Sequence, residues 1–139
     1  MPSVDCIKKL QEIGTANICP AIAFYKDDKV LIGLRHYSSG SVWTMPGGRC
    51  QFGEIVEHAL RREVAEETNI TDFTIIELVS IFNGAKAGDV VYFFVGRTNQ
   101  EPELQEPDKF SEWRWERLSN IPTNFIDSKA LALLRPYVK

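Results

Sequence analysis

The chain has 139 residues, of which 44% are hydrophobic, and this composition predicts a single α/β domain spanning residues 1–139. Its formal net charge of −3 and its pI near 5.4 exclude a broad basic surface for an extended nucleic acid. Neither a signal peptide nor an apolar run long enough to span a membrane is present in the sequence, which predicts a soluble, cytoplasmic protein.

The first third of the chain alternates between a helix and short strands. Residues 4–13 carry apolar side chains at helical spacing, with Ser3 as the N-cap and Gly14 as the stop. Residues 18–25 and 30–34 are rich in apolar and β-branched residues, so two strands joined by a polar turn are predicted. A short apolar segment, 42–45, then leads into a Pro-Gly-Gly sequence that ends regular structure.

The remainder is predicted as helix, hairpin, strand and helix. Residues 55–68 contain no Gly or Pro and favour a helix. Strands are predicted over 73–82 and 90–96, joined by a glycine-containing loop, and over 112–116 after a polar loop. Asn124 is expected to cap a last helix over 125–134.

The three cysteines do not indicate a disulfide or zinc site. Cys6, Cys19 and Cys50 are odd in number, lie far apart and form no C-x-x-C pair. Structural thiols are therefore predicted at all three positions.

The helix over 55–68 differs from an ordinary surface helix in where its acids lie. At about 100° per residue, its apolar stripe also contains Glu63 and Glu67, and Glu66 lies at the stripe's edge beside Ala59. A Glu-rich helix usually turns its acids to solvent, which this placement contradicts. The stripe itself consists of Val56, Ala59, Leu60 and Val64.

The three acids also sit where the helix dipole disfavours them. Each acid near a helix C-terminus costs roughly 0.3–1 kcal/mol, and Arg62, which can reach Glu66 at i,i+4, cannot balance three carboxylates. Mg²⁺ or Mn²⁺ is the natural counter-charge for such oxygen ligands. Glu54 precedes the helix, and its interpretations as a loop anchor and as a functional residue remain open.

Residues 48–70 resemble the Nudix box, G-x5-E-x7-R-E-U-x-E-E-x-G-U, in which U is an apolar residue. Eight of the nine specified positions match, and the exception is Asn69 where the family has Gly. Asn is the non-glycine residue that best tolerates the left-handed conformation at a helix end, so the departure is conservative. Residues 43–48 also resemble the segment that leads into the box.

The resemblance implies an α/β/α sandwich around a mixed β-sheet, with the box forming a loop, a helix and a loop. It further implies a Mg²⁺-dependent hydrolase that cleaves a phosphoanhydride bond in a nucleoside-diphosphate-linked substrate. By position, Glu66 and Glu67 are similar to the metal ligands, and Glu63 to a residue that serves as ligand or general base. Arg62 resembles the arginine that orients these glutamates, and the carbonyl of Gly47 is expected to complete the coordination.

Three residues outside the box are candidates with competing explanations. Glu106 resembles a further metal-binding acid of MutT-like members, but it could equally be an exposed loop acid. Arg35 is similar to a phosphate-binding arginine, with an ordinary surface charge as the alternative. Asn124 resembles a base-recognising residue, although the helix N-cap is the preferred interpretation.

The short chain and its Glu-Trp-x-Trp strand look most like the branch that hydrolyses (d)NTPs, oxidised ones included, to a monophosphate and pyrophosphate. A nucleotide-sugar or ADP-ribose pyrophosphatase is the alternative, and a nucleotide-binding sensor without turnover is a second one. The expected partner is a small-molecule nucleotide. The sequence leaves the oligomeric state open, a homodimer included.

Overall fold

The computed structural model of the chain describes residues 2–126 and 128–138. Helices are α1 (Val4–Gln11), α2 (Val56–Thr68) and α3 (Ser128–Ala132), and a 3₁₀ turn covers Leu118–Asn120. Strands are β1 (Ile18–Lys26), β2 (Lys29–Tyr37), β3 (Gly40–Thr44), β4 (Thr74–Asn83), β5 (Val90–Arg97) and β6 (Phe110–Arg117). The described residues therefore contain both helices and strands, as the sequence predicts.

The six strands form one mixed sheet in the order β3-β2-β1-β5-β4, with β6 paired to β2. β1 runs parallel to β5 over seven residue pairs, and the other strand pairs are antiparallel. β1 and β2 pair only beside their hairpin turn, at Tyr25↔Val30 and Lys26↔Lys29. Beyond that point β2 diverges from β1, and this leaves part of β1 free to bind another segment.

Each face of the sheet carries its own apolar cluster, which confirms the sandwich that the resemblance implies. α1 and α2 cover one face, where Leu60, Val64 and Phe94 are fully buried. α3 and the segment after it cover the other, where Phe93 and Leu134 are fully buried. The apolar stripe predicted for α2 is buried at all four positions, because it faces the first of these clusters.

The first two helices lie close to their predicted bounds. Ser3 caps α1, and its hydroxyl accepts a hydrogen bond from the Cys6 N–H at 3.1 Å. α1 ends two residues earlier than predicted, because the chain leaves the helix at Glu12 and Ile13 forms a β-bridge with Ile55. α2 ends at Asn69 in the left-handed conformation (φ 60°, ψ 17°), as expected for the residue that replaces the family's glycine.

The prediction of a helix over 125–134 is confirmed for α3 (Ser128–Ala132) and was wrong for its start and for its cap at Asn124, while residue 127 lies outside the described residues. The segment before α3 pairs with β3 instead: the Trp43 N–H donates to the Asn124 carbonyl at 3.1 Å, and the Ile126 N–H donates to the Trp43 carbonyl at 2.9 Å. The Asn124 side chain donates to the Ser41 carbonyl at 3.2 Å. Asn124 therefore lies four residues ahead of α3 and does not cap it.

All three thiols are free, with Cys6 and Cys50 buried and Cys19 partly buried. Burial raises the pKa of the Cys6 and Cys50 thiols to about 11. In the described part of the chain, no helix combines the length and apolar character needed to cross a membrane.

Candidate active site

The loop that precedes α2 occupies the place beside β1 that β2 leaves. The Ile22 N–H donates to the Pro46 carbonyl at 3.0 Å, and the Gly48 N–H donates to the Pro20 carbonyl at 3.1 Å. Gly47 passes so close to β1 that a Cβ there would lie 2.4 Å from the Pro20 oxygen. Only glycine fits this approach, so the Pro-Gly-Gly sequence fixes the loop against the sheet.

Glu67 is a buried acid with no cationic partner among the described residues. Its side chain and backbone together are 4% exposed, and its Oε1 accepts a hydrogen bond from the Gly47 N–H at 3.0 Å. Burial raises the pKa of Glu67 to about 8, and the charges of Glu63 and Glu106 add to the rise. A buried carboxylate without a counter-ion is costly, which makes this position suited to a bound cation.

Arg62 is the centre of an ion-pair network that joins the box. Its guanidinium binds Glu54 through two hydrogen bonds of 2.8 and 2.9 Å, Glu63 at 2.9 Å and Glu66 at 3.3 Å. It also donates to the Arg49 carbonyl at 3.0 Å. These bonds agree with the orienting role expected of Arg62, which otherwise stays a prediction.

Glu54 is a loop anchor. One oxygen accepts a hydrogen bond from the Gln51 N–H at 2.9 Å, and the carboxylate holds Arg62 as described above. The hydrogen bonds from Arg62 lower the pKa of Glu54 below its ordinary value. The structure thereby favours the anchoring interpretation of this residue, whose charge acts through Arg62.

Glu63 and Glu66 differ in their surroundings. The Glu63 side chain is 20% exposed and packs on Gly48, where a Cβ would lie 2.4 Å from its carboxyl carbon. Burial raises the pKa of Glu63, whereas the Glu66 side chain is 48% exposed. Arg62 binds both acids, and no three acidic, His or Cys side chains in the described ranges are arranged to enclose a metal ion.

Arg35 and Glu106 both act electrostatically on Glu67. The positive charge of Arg35 lowers the pKa of Glu67 and the negative charge of Glu106 raises it, so both residues lie within electrostatic reach of the buried acid. The Arg35 guanidinium lies over the rings of Tyr37 and Phe110, with centroid distances of 5.0 and 5.4 Å. Its buried Nε has no hydrogen-bond partner.

A cavity of about 400 Å³ borders the glycine loop. Gly47 and Gly48 line it, and the same two glycines contact Glu67 and Glu63 of α2, respectively. The glycine pair therefore borders both the cavity and the acids. The other lining residues are Cys19, Pro20, Ala21, Thr44, Met45, Phe82, Asn83, Gly84, Ala85, Val91, Phe93 and Ile126.

The cavity is mainly apolar, as small-molecule sites generally are. Of the two aromatic residues in the described lining, Phe82 is partly buried and Phe93 is buried. Asn124 does not line the cavity, which the neighbouring Ile126 borders instead. Sequence reasoning missed Thr44 and Asn83, the polar side chains at its wall, because neither belongs to a spaced motif.

An ion pair joins the glycine loop to the β4–β5 hairpin. Arg49 binds the Asp89 carboxylate through both terminal nitrogens, one at 2.8 Å, and the Arg49 Nη1 also donates to the Ala16 carbonyl at 2.9 Å. The Gly84 N–H donates to the Asp89 carbonyl at 2.8 Å, which closes the hairpin beside the cavity. No spaced motif in the sequence indicates this long-range pair.

The sequence profile of the NUDIX domain matches residues 19–134. The chain is 30% identical over 129 residues to the RNA pyrophosphohydrolase of Caulobacter vibrioides, an alignment that covers 78% of this chain and 75% of that protein. It is 28% identical over 120 residues to the oxidized purine nucleoside triphosphate hydrolase of Danio rerio, which covers 78% of this chain and 70% of that one.

Solved structures with the same fold include a MutT NUDIX hydrolase from Burkholderia pseudomallei. Its TM-score is 0.71 at 24% identity, and the match covers 84% of this chain and 95% of that one. An Ap4A hydrolase from C. elegans has a TM-score of 0.71 at 23% identity, covering 86% and 94% of the two chains. At these identities the structural likeness concerns the fold.

Proposed function

The chain belongs to the Nudix family of hydrolases, enzymes that act on phosphoanhydride bonds, and from this premise we propose that it hydrolyses a nucleoside triphosphate to a monophosphate and pyrophosphate. The observation that carries the proposal is the glycine pair: Gly47 binds a buried acid that has no ion-pair partner among the described residues, and Gly47 and Gly48 also line an apolar cavity. A nucleoside in the cavity would send its phosphates past Gly47 and Gly48 toward the acids.

The proposed metal ligands are Glu67 and Glu66, with Glu63 and the Gly47 carbonyl as further donors. Carboxylate and carbonyl oxygens are the ligands that Mg²⁺ prefers, and Mn²⁺ accepts them too. Bound there, the metal would neutralise the phosphates and activate a water molecule. The donor set fits because Glu67 is buried and forms no ion pair with any cation among the described residues.

Glu63 is the proposed general base. Its pKa is raised by burial, which brings it nearer to neutral pH and improves a carboxylate as a proton acceptor. Arg62 holds one of its oxygens at 2.9 Å and thereby sets the direction of the other. Glu106 remains the alternative proton acceptor or further ligand, since its charge also acts on Glu67.

Arg35 is the proposed phosphate-binding residue. Within the described residues it forms neither a hydrogen bond nor an ion pair with an acid, and two aromatic rings hold its guanidinium in place. A guanidinium with free donors binds phosphate oxygens well. Asn124 is a weaker candidate for base recognition, because its amide already binds the Ser41 carbonyl.

The 5′ end of an RNA is the second candidate substrate, favoured by the name of the Caulobacter vibrioides relative. A mononucleotide is preferred because other cations around the site are paired internally: Arg49 with Asp89, Lys109 with Glu106 and Arg114 with Glu116. An RNA backbone needs several free cations. A mononucleotide needs few beyond Arg35 and the metal.

The test is a product analysis with Mg²⁺ or Mn²⁺ and a panel of substrates. The panel contains (d)NTPs, 8-oxo-dGTP, 5′-triphosphorylated RNA, ADP-ribose and nucleotide sugars, with Glu67→Gln as the inactive variant. Monophosphate and pyrophosphate from a triphosphate, lost in the variant, are expected. Preference for RNA, with a KM that rises steeply with salt, would select the second candidate.

Two other outcomes would overturn the proposal. Turnover of nucleotide sugars or ADP-ribose alone would identify the pyrophosphatase alternative. Nucleotide binding without any product, with either metal and at several pH values, would identify a sensor.

A further inference from the structure

We propose that Trp113 is a positioning residue for Glu67, holding the C-terminal end of α2 so that the buried carboxylate keeps its direction toward the metal site. The inference deepens the proposed function and rests on Glu67 being a metal ligand.

The contact is between β6 and the last turn of α2. The Trp113 indole Nε1–H donates to the backbone carbonyl of Glu67 at 3.1 Å. The last four carbonyls of a helix have no partner within the helix, and such ends fray unless another group binds them. Glu67 is the second-last residue of α2, so this indole binds a carbonyl that the helix leaves unpaired.

Glu67 is thereby held at two points. The Gly47 N–H fixes a side-chain oxygen at 3.0 Å, and the indole fixes the backbone from which the side chain starts. If the helix end frayed, the Cα–Cβ direction of Glu67 would vary although its hydrogen bond to Gly47 could persist. Metal affinity depends on such supporting contacts as well as on the ligands themselves.

The indole occupies space that Gly33 of β2, which has no side chain, leaves open. Trp113 pairs with Gly33, where a Cβ would lie 2.6 Å from two atoms of the ring. Phe110 packs on the ring with a centroid distance of 4.5 Å, and a register shift between Gly33 and Arg35 brings both aromatic residues to the same face. Glycine at position 33 therefore provides the space in which the indole reaches α2.

The same aromatic pair contacts the proposed phosphate-binding residue. The Arg35 guanidinium lies over Phe110, and Phe110 packs on Trp113. One stack thus joins the supports of the phosphate-binding and the metal-binding side chains.

The test compares two tryptophans on the same strand. Trp113→Phe keeps a ring but removes the N–H donor. Trp115→Phe is the matched control, because the Trp115 indole donates to the exposed Glu101 carboxylate at 3.0 Å, away from Glu67. Both indoles are partly buried, so the two variants lose similar packing.

Melting temperature is measured against Mg²⁺ concentration, and kcat and KM are measured at saturating metal. The half-saturating Mg²⁺ concentration is expected to rise about tenfold in Trp113→Phe, with a lower kcat and a KM close to that of the wild type. Trp115→Phe is expected to change neither quantity. Equal Mg²⁺ affinity and kcat in Trp113→Phe and the wild type would refute the inference.

Two further measurements keep the test decisive if Trp113→Phe folds poorly. Gly33→Ala should displace the indole and weaken Mg²⁺ binding in the same way. In the wild type, the NMR resonance of the Trp113 indole N–H should shift on addition of Mg²⁺, with the same half-saturating Mg²⁺ concentration as in the melting experiment. The indole N–H resonance of Trp115 should not shift. A Trp113 resonance that does not change when Mg²⁺ binds would contradict the inference. A wild-type chain that binds no divalent metal would instead refute the proposed function.

Discussion

Replacing Glu67 by glutamine should stabilise the metal-free protein while removing its response to Mg²⁺. Burial raises the pKa of Glu67 from 4.5 to about 8. At neutral pH, ionisation of Glu67 is therefore unfavourable in the folded protein and favourable in the unfolded chain. Because this pKa is raised, the stability that protonated Glu67 contributes is fully present below pH 4.5 and is lost as the pH rises toward 8. The loss amounts to about 3 kcal/mol at pH 7, from about 1.4 kcal/mol per pKa unit.

Glutamine resembles the protonated acid and can still accept the hydrogen bond from the Gly47 N–H. In EDTA, the variant should therefore melt at the same temperature as the wild type near pH 4 and roughly 10 °C higher near pH 7. The groups that act on Glu67 from the surrounding elements are Glu63, Glu106 and Arg35, and all three stay in place in the variant.

The assay is thermal unfolding from pH 4 to pH 9, with EDTA and with Mg²⁺. Glu57→Gln is the control on the same helix, because its partly exposed pair with Arg61 contributes only about 0.5 kcal/mol. Mg²⁺ should raise the melting temperature of the wild type and of Glu57→Gln, but not that of Glu67→Gln. If the melting curves of Glu67→Gln and wild type stay parallel across the pH range in EDTA, burial of the charge is not the cause we assign.

Three other predictions concern the surroundings of the site. Asn69→Ala should destabilise the protein by about 1 kcal/mol, and Asn69→Gly much less, because the residue is left-handed (φ 60°); chemical denaturation of both variants checks this. Asp89→Asn should raise KM roughly fivefold with little change in kcat, since it loosens the hairpin beside the cavity. Exchanging Asp89 and Arg49 should restore KM, because it restores the ion pair. An unchanged KM in both variants would contradict a link between this ion pair and substrate binding. At pH 8 a thiol reagent should label Cys19 first, because Cys50 is buried with its pKa raised to about 11. Mass spectrometry identifies the labelled thiol. Earlier reaction at Cys50 would be the contrary result.

Local signals in the sequence predicted much of the fold and the identity of the box. The spacing of apolar residues identified the buried stripe of α2 and placed Glu67 within it, because a helix repeats its geometry at every turn. The left-handed end at Asn69 was expected because Asn stands at the box position where the family has Gly. Such features depend on residues within a few positions of each other.

Features that depend on distant contacts were missed or mistaken. Phe125 and Ile126 were predicted to be helical, but their backbone pairs with Trp43, some eighty residues earlier in the chain. The hydrogen bond from Trp113 to Glu67 and the pair between Arg49 and Asp89 also join remote segments. No local pattern encodes them, since they exist only once the sheet has brought the segments together.

Gly47 and Gly48 are shared by two groups of residues with different proposed tasks, because both glycines line the cavity and both contact acids of α2. Residues of the β4–β5 hairpin line the cavity, whereas none of the described lining residues belongs to α2, which carries the proposed metal ligands. Under the proposed function, substitutions in the hairpin are therefore expected to alter the choice of nucleotide while the acids stay in place. Relatives of this chain that are named for different substrates agree with such a division of labour.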